Sequence, residues 1–180
     1  SCPMTRSDAI PEDPHALAVA RGRAYDLLGH ALRHGVTRER LEHFRAVPAL
    51  TSLLPAADVF DADAAAAAHH TTFSLEVPPF ESVFLTESGL MGGAPAAGVR
   101  AQASRIGFSD LPDDMEPDHA GVQLALLCWL SGAEADAWAD ERPDVVGVIE
   151  GLIREFLDAH PLGWLGALAA SLSTCSAADP

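Results

Sequence analysis

Glu116-Pro117-Asp118-His119 sets an acid and an imidazole side by side, directly before the most apolar helix candidate of the chain, Leu124 to Leu130. Pro117 biases Glu116 away from helical geometry and Asp118 is a good N-cap, so His119 is expected in the first turn near unpaired amides, both side chains pointing outward. Three chemistries fit such a pair. Asp118 can cap the helix beside a solvated imidazole; the two can form an acid-base or metal pair; or they can be the polar rim of a groove that exchanges hydrogen bonds with a bound peptide. Neither a second ligand at metal spacing nor a nucleophile lies nearby in sequence. The residue types alone leave the three readings open.

The elements that would position this pair are helical. Asp13 caps a helix with Pro14 at its first position, and Leu17, Ala20, Ala24, Leu27, Leu28, Ala31 and Leu32 recur at helical spacing up to Gly35. Thr37 is a fresh N-cap for a short helix through Arg45 with Leu41 and Phe44 inward, and Pro48 starts another turn. His30, His34 and His43 fall on polar faces. Asp58 to Thr72 holds an alanine run of high helix propensity ending in His69-His70, whose adjacent positions diverge on a helix and are expected at the surface. Leu75 to Gly98 breaks the helical pattern and is expected to be a long ordered loop of functional use, since Val77, Phe80, Val83, Phe84 and Leu85 carry too much apolar surface for disorder. Pro95 to Ile106 can form a helix closed at Gly107. The helix expected from Pro143 carries one stripe of Val145, Ile149, Leu152 and Phe156, widened by Val146, Ile153 and Leu157. Leu162 to Leu172 supplies a last helix with Trp164 and Leu168 inward. No stretch alternates with period two. The expected fold is all-α, a single-domain bundle of six to eight helices around a buried central helix at Leu124 to Leu130, spanning residues 14–173 between a loose arm, 1–13, and a frayed tail, 174–180.

Three stretches of this chain occur in order: Pro78-Pro79-Phe80-Glu81-Ser82-Val83-Phe84-Leu85, the Glu116 to His119 turn with its apolar helix, and Phe156-Leu157-Asp158-Ala159-His160-Pro161-Leu162-Gly163-Trp164. They resemble the P-x-[YFW]-E-S-x-[YF], E-P-D-H-x-x-x-E-L and F-L-x-x-H-L-x-x-W segments of the TorD/DmsD/NarJ family of cytoplasmic chaperones, which mature molybdenum enzymes. Together they cover the chain from about Thr72 to Leu168. Two positions depart from the pattern: Pro161 stands where leucine is usual and Gln123 where glutamate is usual. The resemblance implies an all-helical domain without catalytic turnover or cofactor, cytoplasmic, monomeric or dimeric. Its partners would be the catalytic subunit of a molybdopterin oxidoreductase and that subunit's twin-arginine signal peptide.

An amphipathic segment carrying two arginines calls for carboxylates at the rim of a groove and aromatics at its floor. The candidate client-binding residues are Asp118, Glu116 and Glu81 for the guanidinium groups and Phe80, Phe84 and Trp129 for apolar contact. His119 is a hydrogen-bonding partner, and Ser82 and Gln123 join the set from the motifs. Pro117, His160 and Trp164 are expected to be structural. Two other readings differ in class. One is a small metal-dependent or hydrolytic enzyme built on Asp118, His119, Glu81 and His160; the other is a nucleotide-responsive binding module.

Composition narrows the partners. There are 26 acidic residues against 11 basic ones, every one of them arginine, and the net charge of -15 repels nucleic acid and anionic lipid and favours a basic partner. With no lysine, and no Gly-x-x-x-x-Gly-Lys-[Ser/Thr], a Walker-type nucleotide site is absent. Cys2, Cys128 and Cys175 lie far apart without a Cys-x-x-Cys, against a zinc knuckle or a disulfide framework, and Cys128 is expected in the core. No apolar run reaches the roughly 18 to 20 residues that span a bilayer, and Ser1-Cys2-Pro3-Met4, with no basic region followed by an apolar one, is not expected to begin a secretion signal.

Overall fold

The Asp13 side chain accepts a hydrogen bond from the amide of Ala16 at 3.1 Å, and Pro14 occupies a position whose N–H would have no helical partner. The helix they start, α1, runs Pro14–His34 and stops at Gly35. The structure, a computed structural model, describes residues 13–56 and 58–178; residues 1–12 of the expected arm and 179–180 of the expected tail lie outside it. Five further helices have nine residues or more: α4 (Ala62–His70), α6 (Gly93–Ile106), α7 (Ala120–Ala139), α8 (Pro143–Ala159) and α9 (Pro161–Ala178). Short helices α2 (Leu41–Arg45), α3 (Pro48–Thr51) and α5 (Glu81–Leu85) lie between them, and a π-helical segment, Thr71–Glu76, continues α4. Among the described residues there is no strand, and one isolated antiparallel bridge joins Phe80 to His119. Among the described residues no helix is long and apolar enough to cross a membrane.

The bundle is organised around α7. Val122, Leu124, Leu126, Leu127 and Leu130 are buried on several of its sides, so it is enclosed by its neighbours, as its uniform apolarity requires. Each such leucine contributes about 1.5 to 3 kcal/mol by leaving water. Val99 and Ala103 from α6 and Val146, Ile149, Ile153 and Phe156 from α8 complete the main core. A smaller cluster joins Val77, Ala120, Trp164 and Leu168.

Helix α1 packs on α7 through only part of the expected stripe, with Leu27 buried and Ala31 and Leu32 half-buried. Leu17, Ala20, Ala24 and Leu28 are exposed, whereas Ala18, Gly22, Leu27 and Gly29 are buried. Close approach decides the face here. A Cβ on Gly121 would stand 2.7 Å from the Gly29 carbonyl oxygen, and one on Gly29 would stand 3.1 Å from the Gly121 oxygen. Two backbones this near leave no room for a leucine stripe. The contact is tied at its other end by Arg21, which pairs with buried Glu134 and reaches Ser131 Oγ at 3.4 Å.

Other boundaries shift for local reasons. The second helix starts at Leu41, because Thr37 to Arg40 form a turn in which the Arg40 amide donates to the Thr37 carbonyl at 3.1 Å. The stretch expected as one long loop holds the end of the π-helical segment and all of α5, and α6 begins two residues before Pro95, at Gly93. Residues 174–178 continue α9 as helix. His34, His43 and His70 are exposed, but His69 and His30 are half-buried: His69 Nε2 donates to the Leu32 carbonyl at 3.1 Å, and His30 Nε2 is enclosed without a partner. Cys128, expected in the core, is half-buried and lines a hollow beside α1.

Candidate functional site

Pro79 and Phe80 run antiparallel to the residues entering α7. The Glu81 amide donates to the Asp118 carbonyl at 3.1 Å and the Ala120 amide to the Pro79 carbonyl at 2.8 Å. Two of the three sequence motifs are thus joined by backbone. The Asp118 carboxylate then accepts from the Ser82 amide at 2.9 Å, so it caps α5 rather than α7. Asp118 has no exposed surface, and its other oxygen, Oδ1, is enclosed without a protein partner. Ser82 Oγ in turn accepts from the Gly92 amide at 2.9 Å, and Thr86 Oγ1 donates to the Ser82 carbonyl at 2.7 Å.

His119, not Asp118, is the N-cap of α7. Its backbone is extended and its Nδ1 accepts from the Gly121 amide at 3.0 Å. An Nδ1 that accepts carries no proton, so the ring is neutral. Its environment agrees: burial, followed by the charges of Arg33, His69 and His34, lowers its pKa from 6.5 to about 4. Phe80 meets the ring edge-on with centroids 4.9 Å apart.

The third motif closes the assembly from the junction of α8 and α9. His160 Nδ1 donates to Glu81 at 2.9 Å from Oε2 and 3.1 Å from Oε1, and Gln123 Nε2 donates to the same Oε2 at 2.6 Å. Trp164 Nε1 donates to Gln123 Oε1 at 3.2 Å. Because indole nitrogen only donates, Trp164 fixes which end of the Gln123 amide faces Glu81. The resulting chain, Trp164 to Gln123 to Glu81 to His160, is buried throughout. Phe84 packs on Trp164 at 5.5 Å and Phe156 on His160 at 5.2 Å. Gly98 makes room for the imidazole, since a Cβ there would lie 3.0 Å from His160 Cε1.

The structure therefore gathers Phe80, Glu81, Ser82, Phe84, Asp118, His119, Gln123, His160 and Trp164, but turns their polar groups inward. The outward-facing pair expected at the helix mouth is corrected by this burial: Asp118, Glu81 and Gln123 present no surface to a guanidinium in this conformation. Asp118 has an internal partner, the Ser82 amide, that sequence spacing does not reveal. Pro117 is buried in the turn. Of the expected rim, Glu116 is on the surface, paired with Arg100 at 3.6 Å. Trp129, exposed on α7, lies edge-on to Phe108 instead. Buried Glu134 on α7 was not singled out by sequence; an acid in a stretch of alanines, Gly132 to Ala139, was the available signal. Asp118 and His119 serve different partners and share no proton. Among the described residues no three His, Cys, Asp or Glu side chains are gathered as a metal site.

The neutral cap has a pH consequence. Below pH 6.5 the unfolded chain takes up a proton at position 119 that the folded chain refuses until about pH 4, so stability is full above 6.5 and falls as the pH drops. His30 and His34 are shifted in the same direction, by burial first and then by nearby arginines. Urea midpoints should show about 1 kcal/mol lost through His119 between about pH 7.5 and 5.5. His119→Asn keeps a cap acceptor and removes the titration, so its profile should be flatter by that amount. Equal slopes for the two proteins would mean that His119 is not neutral when folded.

A family described as "Nitrate reductase delta subunit" matches residues 40–170 of this chain. No curated protein and no solved structure matches it.

Proposed function

The chain belongs to the nitrate reductase delta subunit family, whose members are molybdoenzyme maturation chaperones, and from that premise we propose that it binds the twin-arginine signal peptide and apoprotein of a molybdopterin oxidoreductase. It holds that client in the cytoplasm until the cofactor is inserted, and has no turnover of its own. The observation that carries this reading is the family match over residues 40–170, which contains all three motifs. The net charge of -15 supports a basic partner. In this reading the motif residues maintain the scaffold. Glu81, Gln123, His160 and Trp164 hold α5 against α7 and α9, Asp118 and Ser82 shape the segment that follows, and the client meets the surface they support.

Calorimetry with signal peptides from the host's molybdoenzymes tests the reading. One peptide is expected to bind with saturable heat, and the same client should co-purify from the native host. Absence of binding across every such peptide, with no oxidoreductase recovered, would overturn it.

A further inference from the structure

The loop between α5 and α6 is short of room to hide its side chains. Its two ends are drawn together by the Ser82 Oγ to Gly92 amide bond at 2.9 Å, and within it Thr86 Oγ1 bonds the Ser82 carbonyl at 2.7 Å and Ser88 Oγ at 3.2 Å. The Leu90 amide donates to Ser88 Oγ at 3.4 Å. This hydrogen-bonded loop holds Leu90 and Met91 in solvent at 71% and 59% exposure. Leu85, at the end of α5, is 53% exposed and lies alongside Gly163 of α9, next to Leu162 at 67%. An ordered loop that presents leucine and methionine to water, and that continues directly from exposed Leu85, has the composition of a contact surface that adapts to an apolar partner.

Negative charge adjoins it. A Cβ on Gly92, next to Met91, would stand 3.4 Å from the carboxyl carbon of Glu116. Glu116 also lines a hollow of about 390 Å³ together with Asp113, Asp114 and Arg100. Arg100 answers Glu116, while Asp113 and Asp114 form no ion pair among the described residues. The larger hollow, about 1030 Å³ between α1, α2 and α7, has Arg23, Arg40, His15 and His43 around its apolar floor together with Asp26 and Asp136, so its acids are balanced by arginines and Asp26 is already paired with Arg40. It lacks the acidic bias that a basic segment needs.

We propose that Leu85, Leu90, Met91 and Leu162, with the Asp113–Asp114 hollow beside them, form the docking surface for a client segment in which arginine adjoins an apolar stretch. The apolar side chains of that segment cover the two leucine-bearing edges and Met91, and its guanidinium enters the acidic hollow. The inference rests on the chaperone reading above. It places recognition on the outside of the buried motif residues, whose hydrogen bonds keep the loop and α5 in position.

The test uses the full chain and a synthetic peptide with an Arg-Arg pair followed by an apolar stretch, taken from a host molybdoenzyme. Leu90→Ser/Met91→Ser should fold like wild type, because both side chains are already in water, and should weaken binding at least tenfold. Asp113→Asn/Asp114→Asn should weaken it less and reduce its dependence on salt. Leu75→Ser, equally exposed on the π-helical segment, and Ala24→Arg, in the larger hollow, should bind as wild type does. If wild type binds no such peptide from any of the host's molybdoenzymes and no oxidoreductase co-purifies, the chaperone reading itself fails. If wild type binds and the Leu90/Met91 variant binds equally well, or Ala24→Arg abolishes binding, the chaperone reading stands and the surface proposed here is wrong.

Discussion

Glu81→Ala is expected to lower the stability by about 3 to 5 kcal/mol, among the largest effects of any single truncation in the chain. The carboxylate is buried and accepts from two donors outside its own helix, His160 at the junction of α8 and α9 and Gln123 on α7. Its removal strands both N–H groups in a site closed to water, each at a cost of about 1 to 3 kcal/mol. It also opens a cavity beside His160 and Gln123. Glu81→Gln should be milder, at about 1 to 2 kcal/mol, because an amide oxygen can occupy the Oε2 position and receive both donors, leaving only the charge assistance lost. A double-mutant cycle with His160→Ala should show coupling of about 1 to 3 kcal/mol, since the two residues lie in one network. Urea denaturation measures all three. If Glu81→Ala melts within about 1 kcal/mol of wild type, the carboxylate is not where α5, α7 and α9 are joined.

The contrast between α8 and α1 explains how much of the fold was legible. In α8 the buried face is made of large apolar residues, Val146, Ile149, Ile153 and Phe156, so hydrophobic period and burial coincide. On α1 the apolar period marks Leu17 and Leu28, yet both are exposed, because the interface with α7 selects for small size at Gly22, Gly29 and Gly121. Hydropathy does not register a requirement for absence of a side chain. Likewise, cap propensity favours Asp118 over His119, and the order is reversed only because α5 offers Asp118 an amide from 36 residues away. The motifs marked residues that the fold brings together. What they could not show is that Glu81 and His160, 79 positions apart, face each other inside the bundle, and that inward direction is what separates a scaffold from a rim.

Gln123→Glu is expected to destabilise the protein at neutral pH by several kcal/mol and to do progressively less harm as the pH falls, although glutamate is the residue its family usually carries there. Gln123 performs two opposite tasks: its oxygen accepts from Trp164 and its nitrogen donates to Glu81 at 2.6 Å. A glutamate keeps the first task. For the second it would set two carboxylates in contact inside the core, where both cannot remain ionised, so one must hold a proton to restore the hydrogen bond. The folded pair therefore binds a proton at pH values where an unfolded glutamate, with pKa about 4.3, has released it. A pKa raised by folding gives stability that is complete below the unfolded value and is lost as the pH rises through the folded one. The difference in stability between Gln123→Glu and wild type should thus be small near about pH 4.5 and grow to about 3 to 5 kcal/mol by about pH 8, the cost of an uncompensated buried charge. Taking the difference between the two proteins removes the acid loss they share through His119. Adding Glu81→Gln should rescue Gln123→Glu, because the amide and acid then exchange places and the donor to the carboxylate returns. A pH-independent difference, or no rescue by the double variant, would mean that the bond between positions 81 and 123 is not what the glutamine at 123 maintains.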